Sequence, residues 1–208
     1  MLLIISLLWT LPIFAQTDSE YFQTQLISTY TVNSQGQTTV EHQFNITNLS
    51  PEYYVDKYGL QLSSPDITNI KVYQQDQAIT PEITQTDKET SLGITFDNKI
   101  VGEGKVNQFT ISYVDPNIAQ VNGWVLEISI PKLVDAQNYQ QRQVKVVTPI
   151  YYGFPQRVNL AGYEDSQDGQ QIVTSFADPG SEAISILFGS EQIYQLSLDY
   201  YLANNTSN

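Results

Sequence analysis

From Phe22 onward the chain is written in alternation. Phe22, Thr24, Leu26, Ser28, Tyr30 and Val32 fall on one face of a strand, and Val40, His42, Phe44 and Ile46 on the next. Asn33-Ser-Gln-Gly36 between them supplies a turn, with a glycine free to take positive φ. Side chains alternate across a strand, so this period of two predicts a β-hairpin with one buried face. Tyr58, Leu60 and Leu62 continue the grammar, as do Ile70-Lys-Val72 and Leu92, Ile94 and Phe96. Pro81 removes a backbone donor from the segment Ile79–Ile83 and predicts an edge strand there.

The stretch Phe109–Pro131 organises this first half. Phe109, Ile111 and Tyr113 precede a turn at Asp115-Pro-Asn117, and Trp124, Leu126, Ile128 and Ile130 follow it. The pattern predicts a central hairpin, with Trp124 the largest side chain available to a core and Pro131 ending the second strand. A polar stretch, Leu133–Gln141, then reads as a linker. Beyond it Val144 and Val146, then Ile172, Thr174 and Phe176, then Ile184, Ile186 and Phe188 alternate again, and Tyr194–Leu202 is the longest alternating run. Asp165–Gly169 predicts a hairpin turn. No 3.6-residue apolar period persists after residue 15. The expected fold is all-β: two tandem antiparallel, Ig-like β-sandwich domains after an N-terminal signal segment. The expected boundaries are 1–15 for the signal segment, 20–131 and 140–203 for the two sandwiches, and 204–208 for a polar tail.

The apolar run Leu2–Phe14, closed by Ala15 and followed by Gln16-Thr-Asp-Ser-Glu20, is a targeting segment. It is shorter than the roughly 20 residues that span a bilayer. It is either cleaved, giving a secreted or surface protein, or kept as an N-terminal anchor, the sole membrane contact expected. Export to the cell envelope, surface or medium is therefore the expected location. The stop soon after the Tyr194–Leu202 run carries the expectation of a further domain.

Composition narrows the chemistry. The net charge is −13, and such a chain repels phosphate backbones, so nucleic acid is excluded as a partner. With no cysteine there is no disulfide, thiol nucleophile or thiolate metal site. His42 is the one histidine, and its phase puts it on the inward face of its strand, as a neutral core or edge group. One imidazole and no thiol build neither a hydrolase triad nor a histidine-rich metal site. Glu164-Asp165 and Asp168-Gly169 lack the oxygen-ligand pattern of a calcium loop. No catalytic residue, metal site or cofactor is expected. The 14 tyrosines are the suggestive feature: Tyr53, Tyr54, Tyr151 and Tyr152 are candidate ligand-binding residues, able to stack on sugar rings or anchor an interface if exposed. Tyrosine also fills half-buried strand faces, and that reading stays open beside the first.

The order of pieces resembles the N-terminal, non-catalytic region of exported bacterial transglutaminase-like proteins. The resemblance runs from about Phe22 to Leu202 and is carried by Tyr30-Thr-Val32, Gly36, Thr39-Val-Glu-His42, Ile46-Thr-Asn48 and Glu52-Tyr-Tyr54. It continues through Val101-Gly-Glu-Gly104, Phe109–Tyr113, Gly123-Trp124, Ile128–Pro131, Leu187-Phe-Gly189, Gln192-Ile-Tyr194 and Leu198-Asp-Tyr200. In that family the papain-like catalytic domain, with its Cys, His and Asp, follows this region; no catalytic residue carries over here. The resemblance implies a non-catalytic module that presents or positions a partner domain, in the same polypeptide or another. The alternative is a surface module that binds carbohydrate or a cell-wall polymer.

Overall fold

The computed structural model describes residues 21–133 and 136–189. The leader, the alternating run Tyr194–Leu202 and the polar tail lie outside the described residues. The strands are β1 (Phe22–Val32), β2 (Thr38–Asn48), β3 (Lys57–Leu62), β4 (Thr68–Gln74), β5 (Gln77–Ile79), β6 (Glu82–Gln85), β7 (Thr90–Thr95) and β8 (Val106–Asp115). They continue as β9 (Ala119–Asn122), β10 (Val125–Ile130), β11 (Gln141–Pro149), β12 (Pro155–Val158), β13 (Tyr163–Asp168), β14 (Gln171–Ala177) and β15 (Ile184–Phe188). Single 3₁₀ turns occur at Ala136–Asn138 and Ile150–Tyr152.

Eight strands form one large sheet, in the order β13-β14-β11-β1-β2-β8-β4-β5. A four-stranded sheet, β12-β15-β10-β9, and a three-stranded sheet, β3-β7-β6, complete the fold. The large sheet is amphipathic by alternation: Leu26, Tyr30, Val40, Phe44, Ile111, Tyr113, Val144 and Val146 are buried, while their neighbours along each strand are half-exposed or exposed. That buried face shares one core with Leu92 and Ile94 of β7, Leu126, Ile128 and Ile130 of β10, and Ile184, Ile186 and Phe188 of β15. Both smaller sheets therefore cover the same face of the large one, as a two-layer sandwich requires.

Three expectations change. First, the strands on either side of residues 131–140 do not fall into two separate, wholly antiparallel sandwiches. β11 runs parallel to β1, from Gln25 opposite Gln141 to Thr31 opposite Val147, and β15 pairs with β10. A period-two pattern reports which face is buried and is silent on which strand sits alongside, so the pairing was not in it. Second, β8 and β10 are not partners in a hairpin. β8 lies between β2 and β4 in the large sheet, and β10 lies between β15 and β9 in the four-stranded sheet. The chain crosses from one layer to the other at Asp115–Asn117, where Asp115 Oδ1 accepts from the Asn117 amide at 2.9 Å and from Ser64 Oγ at 3.1 Å. Third, Trp124 is 60% exposed. It occupies the tight turn from Asn122 to Val125, after Gly123 at φ 63°, and so precedes the strand whose phase it shares.

Other features match the sequence pattern. β1 and β2 pair in full register from Phe22–Asn48 to Val32–Thr38 around the predicted turn. β10 stops at Ile130, before Pro131, and β6, after Pro81, is an edge strand. Asp168–Gly169 turns β13 into β14.

Candidate functional site

The inner face of β1, β2, β8 and β11 changes character along its length. Under β3 and the segment that follows β10 it is polar. Thr24 and Ser28 of β1, His42 of β2, Tyr113 of β8 and Arg142 of β11 all point into the sandwich and line a cavity of about 480 Å³. Tyr58, Leu60 and Leu62 of β3, with Leu133 and Tyr139, form the opposite wall. Exposed Lys57, Gln61 and Lys132 stand at its rim.

The register explains why these groups meet. Ser28 lies directly opposite His42 in the β1–β2 pair, and Arg142 opposite Leu26 in the β1–β11 pair. His42 Nδ1 is 2.9 Å from Ser28 Oγ, and Nε2 is 2.9 Å from Tyr113 Oη. A neutral imidazole has one donor and one acceptor nitrogen, and two hydroxyls satisfy both whichever tautomer is present. Burial, and then the Arg142 charge, lower the His42 pKa to about 4, so the ring is uncharged at neutral pH. Burial likewise raises Tyr30 to about 12, an effect the Arg142 charge opposes. Tyr113 and Tyr58 are also held well above their ordinary value by burial, and Tyr58 Oη lies 3.0 Å from Tyr139 Oη.

Arg142 is the unusual member. It is 5% exposed, yet the salt bridge among the described residues is Lys99–Asp56, far from it in the sequence and on the surface. Its Nη1 donates to the Gly180 carbonyl oxygen, while its Nε is buried with no acceptor. Burial lowers its pKa; Tyr30, Tyr139 and Asp178 oppose that shift. Taking a cation out of water costs several kcal/mol unless an anion repays it. Among the described residues no carboxylate lines this cavity.

The sequence-predicted tyrosines lie elsewhere. Tyr53 and Tyr54 are exposed after β2, with the Tyr53 ring tilted against Tyr21 at 4.6 Å and Tyr54 accepting from Lys99 Nζ at 3.1 Å. Tyr151 is exposed after β11, but Tyr152 is buried at 2%, turned inward by the 3₁₀ turn. β2 ends beside Phe22 at the start of β1, whereas β11 ends past Thr31 at its far end. At about 3.3 Å per residue, roughly 30 Å of strand separates the two pairs. They do not form one platform. Sequence reasoning placed His42 inward but missed Arg142. The signal was present: Arg142 shares the phase of Val144 and Val146, so it had to face the core. Among the described residues no cluster of His, Asp and Glu is arranged to hold a metal ion.

No family model matches the chain, and no curated protein matches it. Solved structures do. A putative nutrient binding protein from Legionella pneumophila is similar over 90% of this chain and 73% of its own, with a TM-score of 0.53 and 8% identity. Yeast LTA4 hydrolase in complex with bestatin is similar over 83% of this chain and 29% of its own, with a TM-score of 0.50 and 11% identity. An M1 zinc metallopeptidase from Deinococcus radiodurans gives 81% and 42%, a TM-score of 0.45 and 10% identity. This chain thus spans about two fifths of that metallopeptidase. The likeness is one of fold, and no residue role carries over with it.

Proposed function

We propose that this chain is a non-catalytic, exported β-sandwich module that presents or positions a partner domain. The observation that carries the reading is His42. The one imidazole of the chain is buried, held through both nitrogens and protonated only near pH 4, which disables it as a general base or nucleophile partner at neutral pH. The fold's occurrence as 29% of yeast LTA4 hydrolase and 73% of the Legionella protein supports a module that works within a larger polypeptide. The partner's class rests on the transglutaminase-like resemblance alone. A second reading, binding of a carbohydrate or cell-wall polymer, is favoured by the exposure of Tyr53 and Tyr54.

The test joins two measurements. The protein is incubated with peptide and polysaccharide panels, and its native product is cross-linked and mapped by mass spectrometry. We expect no turnover, and cross-links from this sandwich to a second folded domain. Turnover that His42→Gln abolishes overturns the reading. A Tyr53→Ala change that removes retention on cell-wall polymer favours the second reading.

A further inference from the structure

The chain carries 22 acidic and 9 basic side chains. A wall of average composition would hold more than twice as many acids as bases. Among the described residues the cavity under β3 inverts this, with Lys57, Lys132 and Arg142 on its walls and no carboxylate. Its deepest charge, Arg142, has no ion-pair partner among the described residues and an unused Nε. The volume of about 480 Å³ falls within the range of roughly 300–1,000 Å³ typical of small-molecule sites, and the rest of the wall mixes apolar and aromatic side chains with hydroxyl and amide groups.

We propose that this cavity binds a small organic carboxylate, its head group on Arg142 and its hydrocarbon or aromatic body against Leu26, Leu60 and Leu133. Nη1 is taken by the Gly180 carbonyl, which leaves the Nε–Nη2 edge of the guanidinium. That edge offers two parallel N–H groups, the arrangement a planar carboxylate accepts in bidentate fashion. A single buried positive charge matches a single negative one, while the rim lysines draw anions toward the opening. The inference stands apart from the module role, since a positioning domain has no need of a buried cation.

The test uses the full chain, with hexanoate, benzoate, hexanamide, benzamide and phenyl phosphate as probes. Binding is followed through the NMR signal of His42, the one imidazole, which faces the same cavity, and through the thermal midpoint. One or both acids should shift the His42 signal saturably and raise the midpoint, with the matching amide at least about tenfold weaker. Arg142→Gln should weaken the acid at least about tenfold with circular dichroism unchanged. Should that variant not fold, Leu60→Trp fills the cavity from β3 without altering charge and should abolish the shift. No saturable response to either acid, equal response to acid and amide, binding that survives the folded variant, or tighter binding of phenyl phosphate overturns the proposal.

Discussion

Phe109 and Arg142 lie on the same face of the same sheet, and their surroundings are opposites. Phe109 stacks on Phe44 at 4.7 Å with the rings 6° from parallel, and meets Phe96 and Tyr58 at 5.0 Å each. That region is complete, because each ring finds its partners within the sandwich and the one polar atom among them, Tyr58 Oη, meets Tyr139 Oη. Three strands along the same row, Arg142 borders a cavity, has no ion pair among the described residues and carries a buried Nε without an acceptor. One alternating pattern produces both, since it demands an inward side chain at every second position without demanding an apolar one. Stability is concentrated in the first region. The second costs stability, which is how binding sites commonly differ from cores.

The comparison can be broken most sharply at Phe109. Phe109→Ala should cost about 3–5 kcal/mol, read as a lowered denaturant midpoint, because it removes the stack and leaves a hole under three rings. A loss under about 1 kcal/mol would mean the aromatic cluster is not the core.

Next in size is a pH effect confined to the polar region. The folded pKa of His42 is lowered from 6.5 to about 4. The unfolded chain therefore takes up a proton between those values that the folded chain refuses. Stability is whole above pH 6.5 and falls as pH drops toward 4, by about 2 kcal/mol between pH 7 and 5. Denaturant titrations of the native protein at pH 7 and 5, beside His42→Gln, measure this directly, because the chain has no other histidine. A variant with the same pH slope as the native protein would show that the ring is not buried neutral.

The smallest effect has the opposite sign. Arg142→Met removes a buried charge and keeps most of the volume, so the thermal midpoint should hold or rise, by the equivalent of about 1 kcal/mol. A fall as large as that of Phe109→Ala would make Arg142 a structural residue and erase the contrast between the regions.

How much of this was legible beforehand follows from what alternation encodes. It reports faces, so the strands, the inward Phe44 and His42, and the β1–β2 hairpin could be read directly. It does not report neighbours, so β8 and β10 looked like a hairpin although they belong to different layers. Trp124 shows a related limit: phase with Leu126 and Ile128 means nothing at a position that is still in the turn. Tyr53 and Tyr152 are alike in sequence setting, yet one is exposed and the other buried, and a local 3₁₀ turn makes the difference. The cavity was hidden for another reason. It needs β1, β2, β8, β11 and β3 brought together, and three of those five contribute one polar side chain each to it, His42, Tyr113 and Arg142.

The parallel pairing of β1 with β11 also sets a timetable. β1 finds β2 almost as soon as it is made, but about 110 residues lie between the end of β1 and the start of β11. At ribosomal speed that is a delay on the order of ten seconds, during which the second edge of β1 has no mate. A bare edge with a greasy face is a template for any strand that passes. The nascent chain must therefore be shielded until Gln141–Pro149 arrives, and a mutation that weakens β11 would lower yield before it lowered the melting temperature of the molecules that succeed.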